Sequence, residues 1–225
     1  LEERDPQRTT DERLIDPYLA LRIEALRTGQ RSLPSGITVD HAALARCRET
    51  ADNLRDRVGV RSAGDGEHAA VEDLGALVAI AYPDRVARRR EGTGARYLLR
   101  NGVGVMLRDQ GSALAREEWL ACAALDDSGR DAVVQLAAPI TEAVVRDLYA
   151  AQYTRTLRIA VDPDGGRVLR TEVEALGAIP VIRRVSADVT LDERAHAFRE
   201  HVRDGWPSSL PWSEASRKTR ERLAF

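Results

Sequence analysis

Lys218-Thr219 is the one lysine–hydroxyl pair in this chain of the kind that closes a phosphate-binding loop, and the residues before it, Glu214-Ala-Ser-Arg217, include no glycine. Such a loop needs glycines so that successive backbone N–H groups converge on phosphate, with an acidic residue farther on to hold Mg²⁺. No ATP site can be built on this pair. The run Asp192-Glu193-Arg194-Ala195-His196 approaches an Asp-Glu-Ala-His motif, but its histidine stands one position late. It also falls within an amphipathic helical pattern, where the motif would need the end of a buried strand. Gly102-x-Gly104 lacks the third glycine of a dinucleotide fingerprint and joins two strand patterns, so it reads as a hairpin turn. His196 and His201 are five residues apart, about 140° round a helix, which rules out joint chelation of one zinc. Cys47 and Cys122 are too few for a disulfide scaffold and too far apart for a zinc site. No Gly-x-Ser-x-Gly elbow occurs. The sequence thus assigns no catalytic residue, no metal ligand and no cofactor to this chain.

The positive signal is a cluster of arginines. Lys218 is the sole lysine, so every other one of the 34 basic residues is arginine. Between Tyr82 and Arg108, the seven residues Arg85, Arg88, Arg89, Arg90, Arg96, Arg100 and Arg108 face only Asp84 and Glu91, a local charge of +5. With a net charge of −2 overall, the rest of the chain carries −7. A basic stretch in an acidic background marks a surface facing a polyanion, or equally a solvated strand face. Strand alternation puts Arg88 and Arg90 on one side and Arg89 on the other. Guanidiniums of this kind would hold phosphates without reading sequence. Tyr97 has the chemistry to stack a base, but alternation puts it in phase with Leu99, in the core. Trp119, which opens a strand pattern, is also assigned to the core, and Trp206 and Trp212 are expected to pin the loop between them.

Three helical patterns come first. One opens between Leu14 and Asp16 and runs to Arg27, with Leu14, Tyr18, Leu21, Ala25 and Leu26 on one face and Gly29 after it. Residues 29–39 read as a linker. A second helix is capped by Asp40 and closed by Gly59, with Ala43, Leu44, Cys47, Ala51, Leu54 and Val58 inward. After a loop at Arg61–Gly66, a third runs from Glu67 through Val71, Leu74, Leu77, Val78 and Ala81 to Pro83. Past Pro83 the apolar period drops from about 3.6 to 2. Strands are predicted at 85–90, 96–100, 104–108, 119–125 and 132–138, with Gly-rich or Asp-rich breaks at 92–94, 101–102, 111–112 and 126–129. Five short strands suit a small closed barrel, for which the oligonucleotide-binding (OB) fold is one solution. A helix over Glu142–Ala150 with Thr141 as cap follows. Next come a hairpin from Leu157 to Leu176 around Asp162-Pro-Asp-Gly-Gly166 and a strand at Ile179–Val185. A capping box at Thr190–Glu193 opens a helix to Asp204, and Ser213 caps a last helix.

The 225 residues are 43% hydrophobic and 31% charged, a globular composition. The longest apolar run, Leu74–Tyr82, falls well short of the roughly 20 residues of a membrane span. The polar start lacks a signal core, and the single methionine is Met106. A cytoplasmic setting, no membrane partner and origin as part of a longer polypeptide are therefore expected.

Four stretches carry a family resemblance. They are Tyr82-Pro-Asp-Arg-Val-Ala-Arg-Arg-Arg90, then Arg96-Tyr-Leu-Leu-Arg-Asn-Gly-Val-Gly-Val-Met-Leu107, then Ser112-Ala-Leu114 with Glu118-Trp-Leu120, and finally Leu210-Pro-Trp-Ser-Glu-Ala215. In this order they resemble the C-terminal half of the HrpB family of bacterial ATP-dependent helicases, in the DEAH/RHA group. Leu1-Glu-Glu-Arg-Asp-Pro6 resembles the stretch after that family's motor. The resemblance implies an α+β chain in three parts. Residues 1–81 would be a segment of the helicase-associated helical bundle, 82–150 a small OB-like β-barrel, and 151–225 a partial C-terminal domain with a strand patch and helices. It also implies a motor outside this chain that uses ATP and Mg²⁺, and a barrel beside the RNA channel. Arg88, Arg89, Arg90, Arg96, Arg100 and Arg108 fall in the matching barrel segment and are the candidate nucleic-acid contacts. The expected role is a non-catalytic accessory region that guides or binds single-stranded RNA. The alternative is a protein-docking or structural module whose arginines pair with acidic groups.

Overall fold

In a computed structural model, the described residues are 7–8, 16–29, 38–59, 71–92, 94–126, 131–163, 166–205 and 212–223. Several sequence expectations lie outside them: Leu14 as a helix-face residue, most of the 29–39 linker, the 61–66 loop, the Glu67 helix start, Thr93, residues 127–129, the tip of the 162–166 turn, and Trp206 with its loop. The chain divides into two compact units, Leu1–Gln152 with Leu176–Ile179, and Tyr153–Ala175 with Pro180–Phe225. No helix among the described residues is long and apolar enough to cross a membrane.

In the first unit, a two-residue strand pair, β1 (Gln7–Arg8) and β2 (Thr38–Val39), accompanies helices α1 (Leu19–Thr28), α2 (His41–Val58) and α3 (Val71–Ala81). The α1 helix starts later than its apolar pattern predicts because Asp16–Tyr18 are held by the barrel instead. The Ala137 N–H donates to the Pro17 carbonyl at 2.9 Å, Ser112 Oγ donates to the Asp16 carboxylate at 3.1 Å, and Tyr18 bridges Ala137. Buried Arg22 then donates to the Asp16 and Tyr18 carbonyls. The α2 helix has its predicted ends. The Asp40 carboxylate accepts from the N–H groups of Ala42 and Ala43, and Gly59 takes the left-handed conformation at the C-terminus.

The predicted inward faces need correction. Only Ala43 and Leu44 of α2 are buried; Ala51, Leu54 and Val58 are exposed. The apolar period continues past the point where a neighbour covers it. On α3 the buried residues include Gly75, Val78 and Ala79, whereas Leu77, Ile80 and Ala81 face outward. The face is rotated because α3 packs on the sheet through its small residues.

That sheet is a closed five-stranded barrel. Its strands are β3 (Val86–Arg89), β4 (Arg96–Leu99), β5 (Gly104–Met106), β6 (Trp119–Asp126) and β7 (Ala132–Pro139), in the circular order β3-β4-β5-β7-β6. Every neighbouring pair is antiparallel except β5 and β7, which run parallel. The interior takes alternate residues: Ala87, Ala95, Tyr97, Leu99, Val105, Leu107, Leu120, Cys122, Ala132 and Val134, with Leu114 from the short helical turn Ala113–Arg116. Burial pushes the Cys122 thiol up to about 12, so it stays protonated and unreactive at neutral pH. Helix α4 (Glu142–Tyr149) begins at its predicted Thr141 cap, and Tyr149 donates its hydroxyl proton to the Ala79 carbonyl at 2.6 Å, tying α4 to α3.

The second unit is built on β8 (Tyr153–Val161), β9 (Val168–Leu176) and β10 (Ile179–Ser186), a three-stranded sheet in the order β10-β9-β8 whose Leu176 and Ile179 ends count with the first unit. Helix α5 (Leu191–Asp204) has its predicted capping box from Thr190 and Glu193, and Glu193 also binds Arg170 of β9 at 2.6 Å. Helix α6 (Glu214–Leu223) completes the unit.

Gly75 is where α3 lies closest to the barrel: a β-carbon built there would meet the Pro139 carbonyl oxygen at 2.0 Å and Ile140 Cβ at 3.0 Å. Backbone cannot yield as a side chain can. Gly75→Ala is therefore expected to destabilise the first unit by about 1–3 kcal/mol, despite the helix propensity it gains, whereas Leu77→Ala on the outer face of the same helix should cost far less. Urea unfolding of the two variants measures both, and equal stabilities would contradict this packing.

Candidate nucleic-acid interface

With Ala87, Tyr97, Leu99, Val105 and Leu107 committed to the barrel interior, their neighbours must point outward. Cross-strand register sets Arg88 opposite Leu98, Arg96 opposite Met106, and Leu98 opposite Gly104. Arg90 continues the phase of Arg88, its N–H bonded to the Arg96 carbonyl at 2.8 Å. Arg100 and Arg108 continue the phases of β4 and β5. Five of the six candidate arginines therefore share the outer side of β3–β5. Arg89 is in phase with inward Ala87 but stands exposed at the barrel end, opposite Tyr97 in register.

The six differ in what holds them. Arg88 is 25% exposed, binds Glu118 Oε1 through Nε at 3.1 Å and Nη2 at 2.8 Å, and lies over the Trp119 ring at 5.5 Å. Arg100 reaches the Pro83 carbonyl at 3.4 Å, bonds the Gln152 side chain, and lies over the Tyr149 ring at 4.8 Å. Arg88 thus braces β3 against the start of β6, and Arg100 braces β4 against the segments outside the barrel. Arg96 and Arg108 are more exposed, 50% and 42%, and meet carboxylates only at longer range: Asp131 at 3.7 Å and Asp126 at 3.5 Å. Arg89 and Arg90 are exposed, and among the described residues their side chains make no ion pair or hydrogen bond. One Arg90 nitrogen nonetheless lies over Gly104, 4.0 Å from where a β-carbon would stand. Arg85, in the same charged stretch, donates to the Ala123 carbonyl at 3.0 Å, where the β6–β7 register is interrupted by a bulge.

Aromatic rings are withdrawn from this face. Tyr97 is fully buried, its hydroxyl placed to donate to the Leu114 carbonyl at 2.8 Å or that of Glu117 at 3.0 Å. Burial pushes its phenol up to about 12, against the opposing pull of Arg89. Trp119 is 2% exposed and takes the outward phase of β6, under Arg88. The surface between the guanidiniums is formed by Leu98, Gly104 and Met106.

Glu118, Asp126 and Asp131 are the acidic neighbours of these arginines, a role the sequence reading did not give them. The excess of acid outside residues 82–108 signalled that such groups existed, but only barrel register identifies them. Elsewhere, Lys218 pairs with Glu214 within α6, and His196 and His201 are exposed on α5. No group of metal-ligating side chains occurs among the described residues. The second unit has a shallow depression of about 260 Å³ on its sheet, rimmed by the Arg155–Glu174 pair and floored in part by Leu157 and Ile182. None of the candidate arginines lies there.

No protein-family model matches the chain. Over 180 residues, 78% of this chain, it is 32% identical to the ATP-dependent RNA helicase HrpB of Escherichia coli, of which it spans 21%. Two crystal structures of the E. coli protein are similar as well. One, described as a DExH-box NTPase, matches 81% of this chain and 22% of its own with a TM-score of 0.53 and 28% identity. The other, described as a DEAH/RHA helicase, matches 91% of this chain and 25% of its own with a TM-score of 0.51 and 26% identity. The chain thus spans about a fifth of the length of the curated relative it matches.

The two kinds of arginine should separate in a stability measurement. Arg88→Ala strips a two-point contact and a ring contact from a partly buried site, with an expected cost of about 1 kcal/mol or more, whereas Arg90→Ala should stay within about 0.5 kcal/mol of the parent. Thermal unfolding of the two variants checks the distinction, and an equal loss in both would remove it.

Proposed function

We propose, from the premise that this chain is homologous to one part of HrpB, that it is a non-catalytic accessory region of an ATP-dependent RNA helicase. In this reading it lies C-terminal to the motor, and its small barrel binds single-stranded RNA and guides it beside that motor. The observation that carries the reading is the outer side of β3–β5, where Arg90, Arg96 and Arg108, with Arg89 at the barrel end, expose guanidiniums around a floor of Leu98, Gly104 and Met106. The circular strand order, with the third and fifth strands parallel, supports an OB-like barrel. Barrels of that kind bind oligonucleotides on their second and third strands and on the loops after the first and fourth. The equivalents here are β4, β5 and the turn after Arg90.

Residues 1–81 then belong to the helicase-associated helices, 82–150 to the OB-like domain, and 151–225 to the C-terminal domain of the family. ATP and Mg²⁺ serve the motor in the remaining polypeptide, in the cytoplasm. Arg88 and Arg100 act mainly as braces. Their intramolecular contacts also favour a second reading, in which this side of the barrel is a protein-docking or structural surface that never meets RNA.

Phosphate binding releases counterions, with a slope in log affinity against log salt of about −0.7 per phosphate on a single strand. Three or four engaged phosphates give a slope of about −2 to −3. Titration of a fluorescein-labelled oligouridylate at two salt concentrations is expected to show that loss, and Arg90→Glu with Arg96→Glu should weaken binding at least about tenfold. Absence of binding at low salt, or indifference to salt, would refute the RNA role. Charge reversal that weakens capture of the motor domains while sparing RNA affinity would favour the docking surface.

A further inference from the structure

Two carboxylates stand on the candidate interface itself. Asp126 ends β6 and Asp131 precedes β7, so a single connection delivers both to the rim of the arginine face. Their ion pairs, Asp126 with Arg108 at 3.5 Å and Asp131 with Arg96 at 3.7 Å, are long for charge-assisted hydrogen bonds and involve exposed guanidiniums. Arg88 with Glu118 shows the contrast: short, two-pronged, partly buried and backed by a ring. Exposed pairs with the first geometry hold weakly. Phosphate oxygens offer the same guanidiniums shorter contacts and release counterions as they bind.

Gly104 is what lets Asp131 sit so close. A β-carbon at that position would come within 2.5 Å of Asp131 Oδ1, and its backbone φ is not in the left-handed region, so glycine is needed here for space and not for conformation. Asp131 Oδ1 and an Arg90 nitrogen both lie over that gap. The carboxylate therefore stands over Gly104 against Arg96, with an Arg90 nitrogen over the same position, where a bound phosphate would take its place.

We propose that Asp126 and Asp131 are internal competitors for phosphate: each holds an arginine in the empty interface, and a nucleic-acid strand binds by exchanging phosphate for carboxylate at Arg108 and Arg96. This rests on the reading of the face as an RNA interface. Its consequence is that the site binds below its electrostatic capacity, releases its strand readily and suits a guide more than an anchor.

The test uses the full chain and a fluorescein-labelled oligouridylate. Asp126→Asn with Asp131→Asn keeps shape and removes charge. Expected is about three- to tenfold tighter binding at low salt, an advantage that shrinks as salt rises. Gly104→Ala leaves the charge count unchanged and displaces the Asp131 carboxylate while adding a methyl to the floor at ordinary contact distance from Arg90, so a smaller tightening is expected from it. Glu118→Gln removes one nearby charge from an arginine held by other contacts and should change affinity much less. Unchanged or weaker binding by the double variant overturns the proposal, as does tightening by Glu118→Gln that is equal per charge removed, which would reduce the effect to net charge. If the parent chain binds and the variants are no tighter, the competitor role alone falls. If neither parent nor variants bind, the RNA interface falls and this proposal with it.

Discussion

A barrel of five short strands has room for little more than one packed layer of side chains, and that constraint sorts residues 86–139 by parity. The layer here is made of Ala87, Tyr97, Leu99, Val105, Leu107, Leu120, Cys122 and Val134. Once Tyr97 is inside, its hydroxyl must find an acceptor there or forfeit a hydrogen bond in a dry site. It lies within reach of the Leu114 and Glu117 carbonyls, which fixes the turn between β5 and β6. The same parity turns Arg88, Arg96 and Arg108 outward. The arginine face follows from closure, because an arginine in the inward phase at mid-strand would bury a charge with no partner.

The outside of the barrel is divided between two uses. On β6 and β7 the helix α3 lies so close that Gly75 cannot accept a β-carbon, and the helix presents small residues to the sheet. Asp16–Tyr18 join the edge of β7 by backbone bonds. On β3–β5 charged side chains take the place of a covering helix. Trp119 and Arg88 mark the border: the indole is buried, and the guanidinium over it turns the apolar side of the barrel into its polar side. Arg100 marks the opposite border through Tyr149 and Gln152.

These relations explain what was legible in the residues alone. All five barrel strands fall within a residue or two of their predicted spans, because strand periodicity and barrel burial have the same period and glycine-rich or polar breaks separate them. The caps at Asp40, Thr141 and Thr190 were legible because a cap is a local hydrogen bond. Buried helix faces were legible only in part: Ala25, Ala43, Leu44 and Val78 are buried as predicted. Leu54, Val58 and Leu77 continue an apolar period that no neighbour covers, and which stripe is covered depends on a surface made elsewhere in the chain. For the candidate site, the parity of Arg88, Arg89 and Arg90 was readable, as was the core position of Tyr97. The split between bracing and exposed arginines was not, since it depends on Glu118 lying 30 residues from Arg88 in sequence and on Gln152 lying 52 from Arg100.

The near absence of lysine gains physical meaning on this surface. A guanidinium presents five N–H donors in a planar fork, so an arginine that spends one or two on an internal partner keeps others directed outward. Lysine concentrates its charge at one strongly hydrated point, and an ion pair occupies more of what it can offer. Arg96 meets Asp131 through Nη1, and Arg108 meets Asp126 through Nη2. In each the rest of the fork lies on an exposed side chain. A face of arginines can thus be ordered by its own carboxylates and still have donors for phosphate, a combination that the same number of lysines would not supply. The bracing arginines use the group differently, bonding a polar partner while the guanidinium lies over a ring, as Arg88 does over Trp119 and Arg100 over Tyr149. One residue type therefore serves both as brace and as donor on this barrel, and the local supply of carboxylates and rings decides which.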